Sequence, residues 1–197
     1  MRDLTANTDA RERVLDAAEK LFAKKGYTAV TLRDIAAEVG IRHTSLYHHV
    51  PGGKEELFVE VTERHLKRHR EGLLYAIDHA GQDLRVQLHA VADWLLSQPP
   101  LDLVRMVHSD MPAIDPLQAQ RLSTMALECM IIPILAALES ARQRGEIEHH
   151  DLGLIAGGLF GMIESLYSVP ENALEQSRQI MAYELIDVLL NGLYKRA

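Results

Sequence analysis

The sequence predicts an all-α fold of about nine helices, with a three-helix head over residues 1–53 and a larger helical body over residues 54–197. Three observations carry this. Aromatic residues are only 5% of the 197 residues while Leu and Ala abound, a balance that favours helices over strands. Apolar residues recur at intervals of three and four along most of the chain. Glycine and proline fall between these periodic stretches, where they would punctuate helices with short loops.

The first helix is expected from about Asp9 to Lys25, with Thr8 or Asp9 as its cap and Val14, Leu15, Ala18, Leu21 and Phe22 as its apolar stripe. Gly26 ends it. Thr31-Leu32-Arg33-Asp34 has the form of a capping box, with Asp in place of Glu. The second helix turns Leu32, Ile35, Ala36 and Val39 inward and ends at Gly40. A third carries Leu46 and Tyr47 to about Val50, and a fourth starts near Lys54 and runs toward Ala80. In the body, helices are expected over Asp83–Ser97, Leu101–Ser109, Asp115–Arg144, Asp151–Tyr167 and from Pro170 to Tyr194. Pro133 should kink the long one, because it removes a hydrogen bond and crowds the preceding turn.

Composition bounds the function. The net charge is −7, but residues 1–50 hold 8 Lys+Arg against 7 Asp+Glu, so the acidity lies in the body. A near-neutral head on an acidic body suits a part that meets DNA. Cys129 is the only cysteine, so no intrachain disulfide can form, and a reducing, cytoplasmic location is expected. The first residues lack the apolar core of a signal peptide, and the apolar run Cys129–Leu138, which contains Pro133, is too short for a bilayer, so no membrane association is expected. There is no Gly-rich phosphate loop, no Gly-x-Ser-x-Gly and no cysteine pair, so neither an enzyme nor a cofactor is expected. His65 and His69 have the i,i+4 spacing of zinc ligands, but no third ligand is evident and Lys67 and Arg68 would repel a cation; no metal site is expected. His149-His150 reads as a solvated loop, and the basic run Arg64, Lys67, Arg68, Arg70 as an exposed helix face.

Ile35–Val50 forms the pattern of a helix-turn-helix: two short helices about a glycine turn, the second anchored by Leu46 and Val50 and polar outside. Arg42, His43, Thr44, Ser45, Tyr47, His48 and His49 supply donors and acceptors for a DNA groove. Arg13-Val14-Leu15-Asp16-Ala17-Ala18, Leu21-Phe22, Gly26-Tyr27, Thr31, Ile35-Ala36, Gly40, Leu46-Tyr47-His48-His49 and Lys54-Glu55-Glu56-Leu57 together resemble the TetR family of transcriptional regulators, over about residues 11–61. The resemblance implies a helix-turn-helix DNA-binding domain and a C-terminal ligand-binding and dimerisation domain. It implies that Thr31 touches a phosphate, that Arg42, His43 and Thr44 face bases or nearby phosphates, and that Ser45 and Tyr47 bind the backbone. His48 would reach bases, His49 a phosphate, and Lys54 would clamp a phosphate at a helix start. Two departures stand out: Arg42 replaces the usual Ser or Thr cap, which Thr44 could supply if the helix starts later, and Pro51-Gly52-Gly53 is one residue longer than the common turn.

In the body, Leu154, Gly158, Gly161 and Ser165 share one helix face, with Gly157 beside them. The last helix is apolar over a wide arc through Ala182, Leu185, Ile186, Leu189, Leu190 and Leu193. The resemblance implies that these two helices form a homodimer interface; the alternative is ordinary core. Trp94, Met106, Met125, Met130, Phe160 and Met162 are candidates to line a pocket for a largely apolar effector of unknown identity, or they too are core. The reading is therefore a ligand-responsive, homodimeric repressor of a palindromic operator. A helical hydrolase using the histidines, a helical interaction module and an activator remain alternatives.

Overall fold

The computed structural model describes residues 2–99, 105–148 and 150–193, with the side chains of 9–99, 105–148 and 150–192. Among these residues there are nine α-helices and no β-strand. The chain divides into two compact units: Met1–His65 with Asp102–Thr124, and Leu66–Leu101 with Met125–Ala197. The first unit thus reaches beyond residue 53 and takes in a stretch from the middle of the sequence.

The first unit begins with α1 (Arg2–Lys25), which starts before the expected cap: Asp9 lies inside the helix, and the Thr8 side chain lies outside the described residues. Its stripe, Val14, Leu15, Ala18, Leu21 and Phe22, is buried as the periodicity requires. Leu57, Phe58 and Val61 of α4 (Gly53–His79), whose residues to His65 belong to this unit, are buried as well. Phe22 and Phe58 meet edge-on at 5.2 Å between ring centroids, and Tyr27 joins them at 4.9 Å from Phe58. Arg64 bridges Glu12 and Asp16, and Arg11 bonds Glu60, so α1 and α4 are tied on their polar edges as well. Between them lie α2 (Leu32–Val39), ended by Gly40 in the left-handed conformation, and α3 (His43–Leu46). α3 is shorter than expected. After Leu46 the chain tightens into i→i+3 bonds, His48 N to Ser45 O and His49 N to Leu46 O, before Val50 is buried.

The stretch 105–124 completes this unit. It contains a π turn (Met106–Asp110), a 3-10 turn (Met111–Ala113) and the start of α6 (Pro116–Ala126), which Asp115 caps through Leu117 N and Gln118 N. The expected helix Leu101–Ser109 falls partly on residues 101–104, outside the described residues.

In the second unit α5 (Leu84–Ser97), capped by Asp83, packs along α9 (Arg178–Leu193) and buries Leu84, Leu88, Val91, Ala92 and Leu95. α7 (Ile132–Gln143) packs on α5 and on α8 (Leu152–Ser165), which Asp151 caps. Pro133 has no N–H to give, and the turn before it widens into a π turn, Leu127–Ile131, whose last bond runs from Ile132 N to Leu127 O. The last helix starts later than expected. A 3-10 turn, Glu171–Ala173, follows Pro170, and the Ser177 hydroxyl accepts from Ile180 N at the true start. Arg178 then donates to the carbonyls of Leu166 and Val169, which bracket the 3-10 turn Leu166–Ser168 that follows α8. Tyr194 lies outside the described residues.

The helical stretch Pro116–Gln143 is 28 residues, long and apolar enough to cross a bilayer, although the run within it looked too short in the sequence. Leu122, Met130, Ile134 and Leu138 on it are fully buried in protein, and core helices share that property. Leu46, also fully buried, is the inner anchor of α3. Leu46→Ala should destabilise the protein by about 2–5 kcal/mol in urea denaturation, as a cavity in a close-packed core does; a loss below the error of the fit would show that α3 is not anchored there.

Candidate nucleic-acid interface

Thr31 starts α2 with a complete capping box. Its hydroxyl accepts from Asp34 N at 3.2 Å and donates to Asp34 Oδ2, and its own amide donates to the same carboxylate at 2.8 Å. These bonds hold the Asp34 carboxyl below its ordinary pKa, the side-chain bond from Thr31 first. Both donors of Thr31 are thus engaged. The amides of Leu32 and Arg33 precede the first intrahelical bond, Ile35 N to Thr31 O, and take no part in the capping box.

α3 presents the polar surface expected of it. Arg42, Thr44, Tyr47 and His48 are exposed, and His43, Ser45 and His49 are half-exposed, while Leu46 and Val50 point inward. The His43 ring meets Tyr47 edge-on at 5.1 Å, which orients the tyrosine, itself 48% exposed. Arg42 occupies the N-cap position with extended backbone and makes no side-chain cap bond. Thr44 lies inside the helix and does not replace it, because α3 starts at His43. The Arg42 guanidinium is thereby left exposed at the helix start.

Lys54 is placed differently from the other eight. Its ammonium turns inward and donates to Tyr27 O at 2.9 Å and Val30 O at 3.0 Å, while standing 4.1 Å from the centroid of the Tyr27 ring. Burial pulls its pKa below the ordinary lysine value, and the nearby Asp110 carboxylate pulls the other way. Two of its three N–H donors close the turn between α1 and α2. Asp110 and Arg105 hold the same turn: Asp110 Oδ1 accepts from Tyr27 N at 2.8 Å, and Arg105 Nη2 donates to Phe22 O and Ala23 O. Sequence reasoning missed both. They lie about eighty residues away, so nothing local to the turn marks them.

The other candidates resolve unevenly. His65 is buried and bonded to Glu19 at 3.1 Å, and no group of three metal-binding side chains occurs among the described residues. His149 lies outside them. On α8, Leu154, Gly158, Gly161 and Ser165 are all exposed. On α9, Leu185 and Leu189 are half-exposed, but Ala182 and Ile186 are fully buried, because that arc packs within the unit; the exposed apolar positions are Ile180 and Val188 instead. The Leu193 side chain lies outside the described residues. Of the six pocket candidates, Met106 belongs to the first unit and Trp94, Met125, Met130, Phe160 and Met162 to the second. Met130 and Phe160 are fully buried core, and the Trp94 ring lies flush over Gly72, where any Cβ would collide with it.

Residues 14–61 match the family described as bacterial regulatory proteins, tetR family. A Bacillus subtilis (strain 168) protein named uncharacterized HTH-type transcriptional regulator YxaF is 46% identical over 57 residues, 29% of this chain and 30% of that one. The HTH-type transcriptional repressor KstR2 of Rhodococcus jostii (strain RHA1) is 37% identical over 93 residues, 45% of this chain and 43% of that one. The chain therefore matches less than half the length of these curated relatives. The crystal structure of AibR in complex with isovaleryl coenzyme A and operator DNA superposes with a TM-score of 0.74 at 17% identity, covering 92% of this chain and 98% of that one, which is a likeness of fold.

Lys54→Met should lower stability by about 1–3 kcal/mol in the absence of any DNA, since it leaves two turn carbonyls without their charged donor. Thermal and urea unfolding of the free protein would measure it; unchanged stability would mean that the ammonium serves only an external anion.

Proposed function

Because the head of this chain is that of the bacterial regulatory proteins of the tetR family, we propose that the whole protein is a homodimeric, effector-responsive repressor that binds a palindromic operator. The observation that carries the reading is α3: a short helix pinned from inside by Leu46 and Val50 that turns Arg42, His43, Thr44, Tyr47 and His48 outward. A helix so short reads few base pairs, and two copies related by a two-fold axis read a palindrome. In this reading Arg42, His43, Thr44 and His48 meet bases or adjacent phosphates, Ser45, Tyr47 and His49 bind the backbone, and the start of α2 at Thr31 offers amides to a phosphate. Lys54 contributes chiefly by holding the turn behind that helix start, with its third donor facing DNA.

A second copy is the occupant we infer for α8. A Cβ added at Gly157, Gly158 or Gly161 would meet nothing within 4 Å, so packing within this chain does not ask for glycine there. Each helical glycine costs about 1 kcal/mol relative to alanine. Leu154, 67% exposed on the same face, and Val188, 72% exposed on α9, supply apolar area for the contact. For the effector, the Trp94 indole Nε1 supports a ligand with a hydrogen-bond acceptor, since it is buried and has no partner among the described residues. In this reading the effector is a largely apolar molecule with one such group, Trp94, Met125 and Met162 of the second unit are its candidate contacts, and preferential binding to the form with low DNA affinity would release the operator.

Selection from a random duplex library, followed by fluorescence anisotropy across a salt series, tests the DNA reading. The protein should select an inverted repeat, with affinity falling steeply with salt. Arg42→Ala should cost about 1–3 kcal/mol and relax preference at one position of each half-site. Failure to enrich any sequence would overturn the operator reading. For the dimer, Gly158→Leu with Gly161→Leu should shift light scattering from dimer to monomer, and an undisturbed dimer would place the interface elsewhere.

A further inference from the structure

The turn between α1 and α2 receives more side-chain hydrogen bonds than its length explains. Five backbone groups between Phe22 and Val30 are bonded by three charged side chains distant in sequence: Phe22 O and Ala23 O by Arg105, Tyr27 N by Asp110, and Tyr27 O and Val30 O by Lys54. Asp110 is only 3% exposed, and Arg105 Nε approaches its second oxygen at 3.5 Å. A buried carboxylate is costly to desolvate, so its place here needs a return that generic packing would not require. Two further features converge on the same point. Gly26 has φ +80°, and a Cβ there would press on Arg105 Cδ and Asp110 Oδ1 at 3.0 and 3.1 Å, so the turn is shaped to let these side chains lie against its backbone. The carboxylate comes from a π turn, Met106–Asp110, a local irregularity that often marks a functional position.

What the turn controls is the entry into α2. Val30, whose carbonyl Lys54 holds, directly precedes Thr31, the cap residue of α2, and α2 packs on α3. We propose that Asp110 and Arg105 are positioning residues of the DNA-reading surface. They touch no nucleic acid themselves, and they fix the turn that sets the angle at which α2 and α3 meet a duplex. This rests on the operator reading above and extends it to residues outside the helix-turn-helix.

The test compares the full-length protein with Asp110→Ala, Asp110→Asn and Arg105→Gln on the duplex that the unmodified protein selects, at a temperature where circular dichroism shows all of them folded. Arg105 is partly exposed, so its variant remains informative if Asp110→Ala fails to fold. Asp110→Ala and Arg105→Gln should weaken selected-duplex binding by about fivefold or more, within the range of coupling between separate sites. Binding to unrelated duplex should stay unchanged, and so should the salt slope, because a lost phosphate contact would lower that slope by about 0.9. Asp110→Asn keeps an acceptor for Tyr27 N and should recover most of the affinity. Full affinity in the folded Asp110→Ala and Arg105→Gln proteins would overturn the proposal, as would an equal loss on both duplexes or a reduced salt slope. If the unmodified protein selects no duplex at all, it is the operator reading that falls.

Discussion

The turn between α1 and α2 is where three charged side chains distant in sequence converge on one short piece of backbone. Between Phe22 and Val30 the chain leaves one helix and enters the next; Gly26 N bonds Phe22 O and Val30 N bonds Tyr27 O, while Asp110 serves Tyr27 N, Arg105 serves Ala23 O and Lys54 serves Val30 O. α3 has four residues, too few to be stable alone, so its direction is inherited. It takes that direction from Leu46 and Val50 inside and from α2, and α2 takes its own from the turn. The aromatic group of Phe22, Tyr27 and Phe58 supplies the apolar floor beneath this chain of dependence. Charge does the local fixing and apolar packing supplies the bulk, as expected where a few directional bonds must set an angle.

Features governed by local rules were readable from the residues. The apolar stripe of α1, the capping box at Thr31 and Asp34, the left-handed Gly40 and the disturbance at Pro133 each follow from spacing or from one residue's backbone chemistry. The polar outer face of α3 was readable for the same reason. Three things were not. The direction of Lys54 is set by tertiary packing against carbonyls 24 and 27 residues away, and a lysine at a helix start looks the same in sequence whichever way it turns. The Arg105 and Asp110 contacts span more than eighty residues. On α9 the apolar arc was wide enough to serve two neighbours, and only packing shows that Ala182 and Ile186 face inward while Val188 faces out.

The second unit shows a different economy. Long side chains bond backbone at and beyond its helix ends: Arg178 bonds the carbonyls of Leu166 and Val169 just past α8, and the Tyr167 hydroxyl reaches those of Leu95 and Gln98 at the end of α5. Arg85 pairs with Asp187, and His89 stacks on Tyr183 at 3.9 Å, so α5 and α9 are joined by polar as well as apolar contacts. On α8, by contrast, Gly158 and Gly161 are exposed, and no side chain of this chain packs where their Cβ atoms would stand.

The most direct single measurement is a chemical footprint of the protein on the duplex it selects. A dimer reading with two copies of α3 should protect two major-groove patches, symmetric about a centre and separated by a whole number of helical turns of about 10 base pairs each. One unsymmetrical patch, or even protection along the duplex, would contradict a paired recognition helix and with it the account of how the head is built to read DNA.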